Sequence, residues 1–253
     1  MTIIEAIIYG LIQGLSEFLP ISSSGHLVLF SKFLSYDGNF ILFSVLLHLA
    51  TLLAVVIYFR KEVIELIKKP FSKDAVLLYI ATIPTVLLVL LFKGFVEDSF
   101  SGSLLPFCFI FTAVLLLISQ ILSKQNNKPI TKKNAFIMGI AQGIATLPGI
   151  SRSGSTICTG LILGQDKEKT AKFSFLMSIP IILASMAYEL LKVFKFGAGE
   201  IAVVPTVIAF IVAFVSGFLS IKLMLSAVKK LKLYWFSIYL FIIGIISFFV
   251  IWF

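Results

Sequence analysis

The chain contains 21 basic residues; two of them, Arg60 and Arg152, are arginines, and Arg152 does not stand where a surface charge would. It lies in Leu147-Pro148-Gly149-Ile150-Ser151-Arg152-Ser153-Gly154-Ser155-Thr156, a small polar stretch between apolar arms. A charge at membrane depth costs about 2.5–3.5 kcal/mol on insertion scales, so one kept there points to function. A planar guanidinium can give two parallel hydrogen bonds to a phosphate. The competing role is a structural ion pair with Glu17, the carboxylate of a second polar stretch that runs from Gln13 to His26, and the serine-rich surroundings favour the phosphate. Glu17 could hold a divalent cation, act as a base, or neutralise Arg152. His26 follows Ser22-Ser23-Ser24-Gly25. A histidine beside hydroxyls is a candidate acid, base or nucleophile, or else a hydrogen-bonded packing group. The runs Ser22–Gly25 and Ser151–Thr156 bring together hydroxyls and closely spaced backbone N–H groups, which cradle anions; the same residues also let helices pack in membranes. Glu5 reads as an interfacial charge, and His48, inside an apolar run, as a packing or supporting residue near the cavity.

The two polar stretches are copies of one another. Gly10 to Gly25 and Gly139 to Gly154 align without a gap at an offset of 129 residues. Gly10/Gly139, Gln13/Gln142, Gly14/Gly143, Ile21/Ile150, Ser22/Ser151, Ser24/Ser153 and Gly25/Gly154 are identical. The reactive positions differ: Glu17 aligns with Thr146, Ser23 with Arg152, and His26 with Ser155. A symmetric scaffold with asymmetric chemistry suits a single site on a pseudo-twofold axis. Interrupted segments at matching places in two halves also point to a membrane-protein binding site.

The elements that must position these residues are helices. The 253 residues are 59% hydrophobic with a mean hydropathy of +1.09, which a soluble domain does not tolerate. Six runs have span length: Phe40–Phe59, Ala75–Phe92, Leu104–Leu122, Phe173–Leu191, Val203–Leu225 and Tyr234–Phe253. The duplicated regions, about Ile3–Leu34 and Ala135–Leu163, each have two arms too short to cross alone. They read as re-entrant helix–loop–helix hairpins, with non-helical backbone only where it is buried in protein or lines a cavity. The expected fold is all-α, a polytopic bundle of six full spans and two re-entrant hairpins in an inverted repeat. It forms one integral membrane domain over 1–253, with halves of about 1–122 and 134–253. The start, Met1-Thr2-Ile3-Ile4-Glu5, lacks a basic n-region, so no cleavable signal peptide is expected. Cys108 and Cys158 read as small buried side chains.

Charge orients the bundle. If the hairpins do not cross, the loops Arg60–Asp74, Ser123–Lys133, Gly164–Lys172 and Ser226–Leu233 share one side and carry fifteen Lys and Arg, against four on the other (Lys32, Lys93, Lys192 and Lys195). The crowded side should be cytoplasmic and both termini outside. The net charge of +9 is then explained by basic loops against an anionic leaflet, with no nucleic-acid partner expected. Three spans between the hairpins invert the second copy, so the polar tips can meet near the midplane.

With these residues in view, the chain resembles the undecaprenyl-diphosphatase family, integral membrane phosphatases linked to bacitracin resistance. The resemblance covers the whole chain and rests on Q-G-L-S-E-F-L-P-I-S-S-S-G-H-L (Gln13–Leu27) and L-P-G-I-S-R-S-G-S-T (Leu147–Thr156). The family's first motif is Glu or Gln, three residues, then Glu; Gln13 and Glu17 fill it here, so Glu17 alone can carry the carboxylate role. Ser23 and His26 match the family's serine and histidine positions, and Ser151, Arg152 and Thr156 match its second motif. The resemblance implies hydrolysis of undecaprenyl diphosphate to the monophosphate and inorganic phosphate, which recycles a lipid carrier for cell-wall polymers. It also implies a bacterial cytoplasmic-membrane location and a site that opens to the outer face. A diphosphate brings several negative charges that Glu17 would repel, so a bridging Mg²⁺ or Ca²⁺ held by Glu17 is expected. The expected catalytic set is Glu17, Ser23, His26 and Arg152, with Ser23, His26 and water all open as nucleophile. Gln13, Ser22, Ser24, Gly25, Ser151, Ser153, Gly154 and Thr156 are expected to bind substrate. The expected partners are the polyprenyl diphosphate and the bilayer, and a homodimer is left open. The competing reading is a transporter or flippase of polyprenyl phosphate, since inverted repeats with broken helices are a transporter device. The clustered Glu17, His26 and Arg152 favour the enzyme.

Overall fold

Thr2 starts the first helix, α1 (Ile3–Phe18), with a capping box: its hydroxyl accepts from Glu5 N at 3.2 Å and its own N–H donates to the Glu5 carboxylate at 2.6 Å. Glu5 therefore completes the cap that begins the helix. The chain turns through Leu19–Ser22 into α2 (Ser23–Phe30). There follow α3 (Phe40–Tyr58), α4 (Arg60–Lys68), α5 (Lys73–Leu91), α6 (Lys93–Ser99) and α7 (Leu105–Leu122). The second hairpin is α8 (Lys132–Ile144) and α9 (Arg152–Ile162), and α10 (Lys167–Phe196), α11 (Val203–Lys229) and α12 (Tyr234–Trp252) complete the chain. The computed structural model describes residues 1–34, 40–123, 127–196, 202–230 and 232–253; Lys124, counted above among the basic loops, lies outside them.

Five of the described helices, α5, α7, α10, α11 and α12, are long and apolar enough to cross a bilayer. The pair α3–α4, bent by 84°, makes a sixth candidate. The spans agree with the apolar runs, except that α5 starts two charged residues early and α10 and α11 continue beyond the runs into charged residues. Arms α1 and α8 have 16 and 13 residues. At 1.5 Å per residue they reach about 24 and 20 Å, short of a hydrocarbon core of about 30 Å.

The duplication extends past the polar stretches. Shifting α3, α5 and α7 by 129 residues lands on α10, α11 and α12. Packing crosses between the halves: α1 lies chiefly on α11, and α8 on α5, while α7 pairs with α12 and α3 with α10. The repeated glycines make these contacts. A Cβ on Gly14 would meet Ala213 O at 2.5 Å and Gly217 N at 2.7 Å, and one on Gly139 would meet Ala81 O at 2.1 Å. Lipid tails are as apolar as leucine, so helices here gain from close backbone approach rather than from apolar burial against water. The interior is filled by Phe18, Phe109, Phe175, Leu116, Met138 and Met177. Residues such as Ile242, Ile245 and Phe249 of α12 face outward.

The four basic loops come together. Lys172 pairs with Glu62 at 2.6 Å, Lys229 pairs with Glu168 at 2.7 Å, and Lys128 N donates to Gly164 O at 3.2 Å. Leu233 N donates to Gln120 Oε1 at 3.3 Å. Sequence reading treated 60–74 as loop; much of it is the amphipathic helix α4, none of whose residues is buried.

Candidate functional site: the meeting hairpin tips

The tips of the two hairpins interlock. Ser22 and Ser151, identical in the repeat, are the N-caps of α2 and α9, and each hydroxyl accepts from the N–H three residues on, that of Gly25 at 3.3 Å and of Gly154 at 3.1 Å. The shared serines and glycines thus rebuild the same helix start twice. Ser22 Oγ also accepts from Gly149 N at 3.1 Å, and Ser153 Oγ donates to Leu19 O at 3.1 Å. A Cβ on Gly25 would meet Gly149 N at 2.6 Å, so only glycine lets the two backbones touch. Ser22 holds φ at 69°, a left-handed conformation costly for a side-chain-bearing residue, and its bonds to both tips hold it there. Thr112 of α7 braces the second tip, accepting from Ser151 N and donating to Gly149 O, both at 3.1 Å.

Glu17 lies at the centre of this junction and is buried. Arg152 Nη2 donates to Glu17 Oε1, which joins the charge of one hairpin to that of the other. The second oxygen, Oε2, accepts from Ser23 Oγ at 2.5 Å and from Gln13 Nε2 at 3.0 Å. Gln13 and Glu17, four apart on α1, share a helix face. His48 Nε2 stands 3.5 Å from the same oxygen, while its Nδ1 donates to Ser44 O at 2.8 Å. Two buried polar atoms in this cluster have no hydrogen-bond partner: Gln13 Oε1 and Arg152 Nη1. A buried donor and a buried acceptor left open beside an ion pair suit an incoming polar ligand, since unsatisfied groups of this kind are costly.

Other expected site residues are placed differently. His26 is buried on α2 with both ring nitrogens engaged, Nδ1 on Ser22 O and Nε2 on Tyr239 Oη, each at 2.8 Å. Its ring stacks on Tyr239 and meets Phe109 edge-on. A carbonyl only accepts, so Nδ1 carries a proton, and Nε2 is engaged by the Tyr239 hydroxyl. Thr156 bonds its own helix at Arg152 O (2.9 Å) and α10 at Ser174 Oγ (2.6 Å). Ser151 and Ser153 approach one another at 3.3 Å within the tip, and Ser24 is half-buried. Sequence reading missed Thr51, which accepts from Gln13 Nε2 at 3.4 Å, as well as Thr112 and Tyr239. Each is a lone polar group in an apolar span, a signal that says "partnered" without saying to what.

The oxygens offered by Glu17, Gln13 Oε1 and Ser23 suit a hard divalent cation better than a soft one. Among the described residues there is no cluster of three or more His, Cys, Asp or Glu side chains placed to hold a metal ion.

Over 250 residues, 97% of this chain and 96% of its relative, the sequence is 43% identical to an undecaprenyl-diphosphatase of Carboxydothermus hydrogenoformans. Proteins of the same name from Christiangramia forsetii and Bacteroides fragilis are each 42% identical, covering 97% and 96% of this chain and the same shares of their own. The profile of bacitracin resistance protein BacA matches residues 6–246, nearly the full length, and the chain belongs to that family.

Proposed function

We propose that the protein is a membrane phosphatase that hydrolyses undecaprenyl diphosphate to undecaprenyl phosphate and inorganic phosphate. The observation that carries the reading is the buried Ser23–Glu17–Arg152 chain across the two hairpin tips. A hydroxyl 2.5 Å from a carboxylate is a nucleophile beside its base, and the guanidinium supplies fixed positive charge where phosphoryl charge develops. Arg152 Nη1, open in the absence of substrate, is the donor that receives a phosphate oxygen.

In the proposed first step Ser23 gives its proton to Glu17, its oxygen bonds to the terminal phosphorus, and the bond from that phosphorus to the bridging oxygen breaks. Undecaprenyl phosphate leaves. In the second step the oxygen of a water bonds to the phosphorus while one of its protons passes to a phosphoryl oxygen, and the Ser23 oxygen departs with the proton held by Glu17, which releases dihydrogen phosphate. His26, engaged through both nitrogens, orients α2 and the Ser22 carbonyl rather than attacking. Glu17 with Gln13 Oε1 would hold Mg²⁺ or Ca²⁺. When bound, the cation would supply charge neutralisation and Lewis acidity.

The reading extends to orientation. The joined basic loops lie on the cytoplasmic side of a bacterial inner membrane, both termini lie outside, the hairpins are re-entrant and inverted, and the site opens outward. The prenyl tail passes sideways into lipid between apolar helices.

The test is phosphate release from undecaprenyl diphosphate by purified protein, with Mg²⁺ or EDTA, for wild type, Glu17→Ala and Arg152→Ala. Metal-dependent release abolished by both substitutions in folded protein is expected. No release from folded wild type sinks the enzyme reading and leaves lipid-phosphate transport. Acid quenching with substrate labelled on the terminal phosphate should trap phosphoserine on wild type and none on Ser23→Ala; an active Ser23→Ala enzyme would assign the attack to water.

A further inference from the structure

Away from the hairpin tips, a cleft of about 440 Å³ opens on the lysine-rich face, lined by Lys73, Val76, Leu77, Pro129, Ile130 and Lys132, with Thr131 beside them. It lies where α5 and α8 begin side by side, and α5 is a membrane span, so the cleft sits at the level where lipid headgroups meet hydrocarbon. Its chemistry is divided in two. Val76, Leu77, Pro129 and Ile130 make an apolar wall, and Lys73 and Lys132 make a cationic rim.

Three lysines of this face are paired, Lys69 with Glu65, Lys172 with Glu62 and Lys229 with Glu168. Lys73 and Lys132 have no carboxylate within ion-pair distance among the described residues, and both are exposed. Thr131 is occupied as the cap of Asn134 N at 3.2 Å, which leaves the lysines to meet a ligand. The neighbouring segment is built to lie in a membrane surface. Helix α4 has no buried residue, and Ile67 and Phe71 are 74% and 90% exposed just before α5.

We propose that this cleft is a binding site for an anionic glycerophospholipid, with the headgroup phosphate between Lys73 and Lys132 and the glycerol and upper acyl chain against Val76, Leu77, Pro129 and Ile130. Its volume falls in the range of small-molecule sites. The two walls match the two halves of a phospholipid, and the charge selects anionic over zwitterionic headgroups. Because α5 is the main bed of α8, the first arm of the second hairpin, a lipid seated at their shared start would clamp the hairpin whose tip carries Arg152.

The test is native mass spectrometry of the detergent-purified protein titrated with phosphatidylglycerol or with phosphatidylcholine of the same acyl chains. Wild type should bind phosphatidylglycerol preferentially. A lysine near an anionic surface is worth about fivefold in binding, so Lys73→Gln/Lys132→Gln should weaken phosphatidylglycerol binding by about tenfold or more. Lys61→Gln/Lys69→Gln, which removes the same charge elsewhere on the face, should leave binding unchanged. Val76→Phe, which fills the cleft at constant charge, should also weaken it; if that variant does not fold, the exposed lysine pairs still decide. Equal losses in the two lysine pairs would mean diffuse attraction and overturn the site. So would full displacement of the lipid by millimolar inorganic phosphate, which would make the cleft a free-anion site, or unchanged binding in folded Val76→Phe.

Discussion

Glu17 and Arg152 hold each other at a junction where neither can reach bulk water easily, so each variant of the pair has a distinct expected outcome. Glu17→Gln leaves a guanidinium buried without its counter-charge, and breaking a buried pair this way costs about 3–5 kcal/mol. That variant should lose activity and also unfold at a clearly lower temperature, measured by thermal scanning in detergent. Arg152→Lys keeps the charge but loses the planar fork and the open Nη1. It should stay folded with kcat down by about 10²–10³, the usual effect of removing one transition-state donor. Near-wild-type kcat in Arg152→Lys would mean that only the charge matters. Gln13→Glu adds a second carboxylate beside Glu17, where only Gln13 Nε2 now stands at 3.0 Å. It should lower the Mg²⁺ concentration needed for half-maximal rate, read from a metal titration of phosphate release. Glu17 and Arg152 are legible because a charge is expensive at membrane depth, and Gln13 and Ser23 because the repeat and the first motif mark their positions. The destination of His26 is not legible, because Tyr239 is 213 positions away and nothing local joins the two.

At the scale of the helix, the two arms α1 and α8 are seated by glycines rather than by large apolar side chains. Gly14→Ala would place its methyl group within 2.5 Å of Ala213 O, and Gly139→Ala within 2.1 Å of Ala81 O, both against backbone that cannot swing aside. Overpacking of this kind costs about 1–3 kcal/mol, so either substitution should lower the thermal midpoint and displace the tip that its hairpin carries, with a loss of rate. Gly94→Ala has no atom within 4 Å of the new methyl and should not destabilise. A midpoint unchanged in Gly139→Ala would show that α8 is not held by its contact with α5. These elements were legible because the repeat preserved Gly10, Gly14, Gly139 and Gly143 at helical spacing. Helices α4 and α6 were not. They are short, they lie outside the apolar runs, and Arg60–Lys68 has the charge of a loop; only its bend from α3 reveals its place. The crossed seating of each hairpin on the opposite half was also hidden, because the sequence repeats the contact surfaces without stating which copy they meet.

For the whole molecule, the contact between basic loops turns a charge count into a spatial claim. Glu62, Lys128, Glu168 and Lys229 belong to four separate connections and are drawn into one face by the Lys172–Glu62, Lys128–Gly164 and Lys229–Glu168 contacts. On the far side, Lys192 of α10 lies 4.4 Å from the Tyr188 ring, and Lys93 lies 4.9 Å from it. If the basic face is cytoplasmic, single cysteines at the two faces must label from opposite sides of the membrane. Cys108 and Cys158 are both buried, so native thiols add little background. A membrane-impermeant maleimide should label Phe71→Cys and Lys230→Cys in inside-out vesicles only, and Lys93→Cys in right-side-out vesicles only. The reverse pattern would turn the site toward the cytoplasm and remove the outward-facing reading. Labelling of Phe71→Cys and Lys230→Cys from opposite sides would break the shared face itself, and with it the cleft between α5 and α8 as a site on one leaflet.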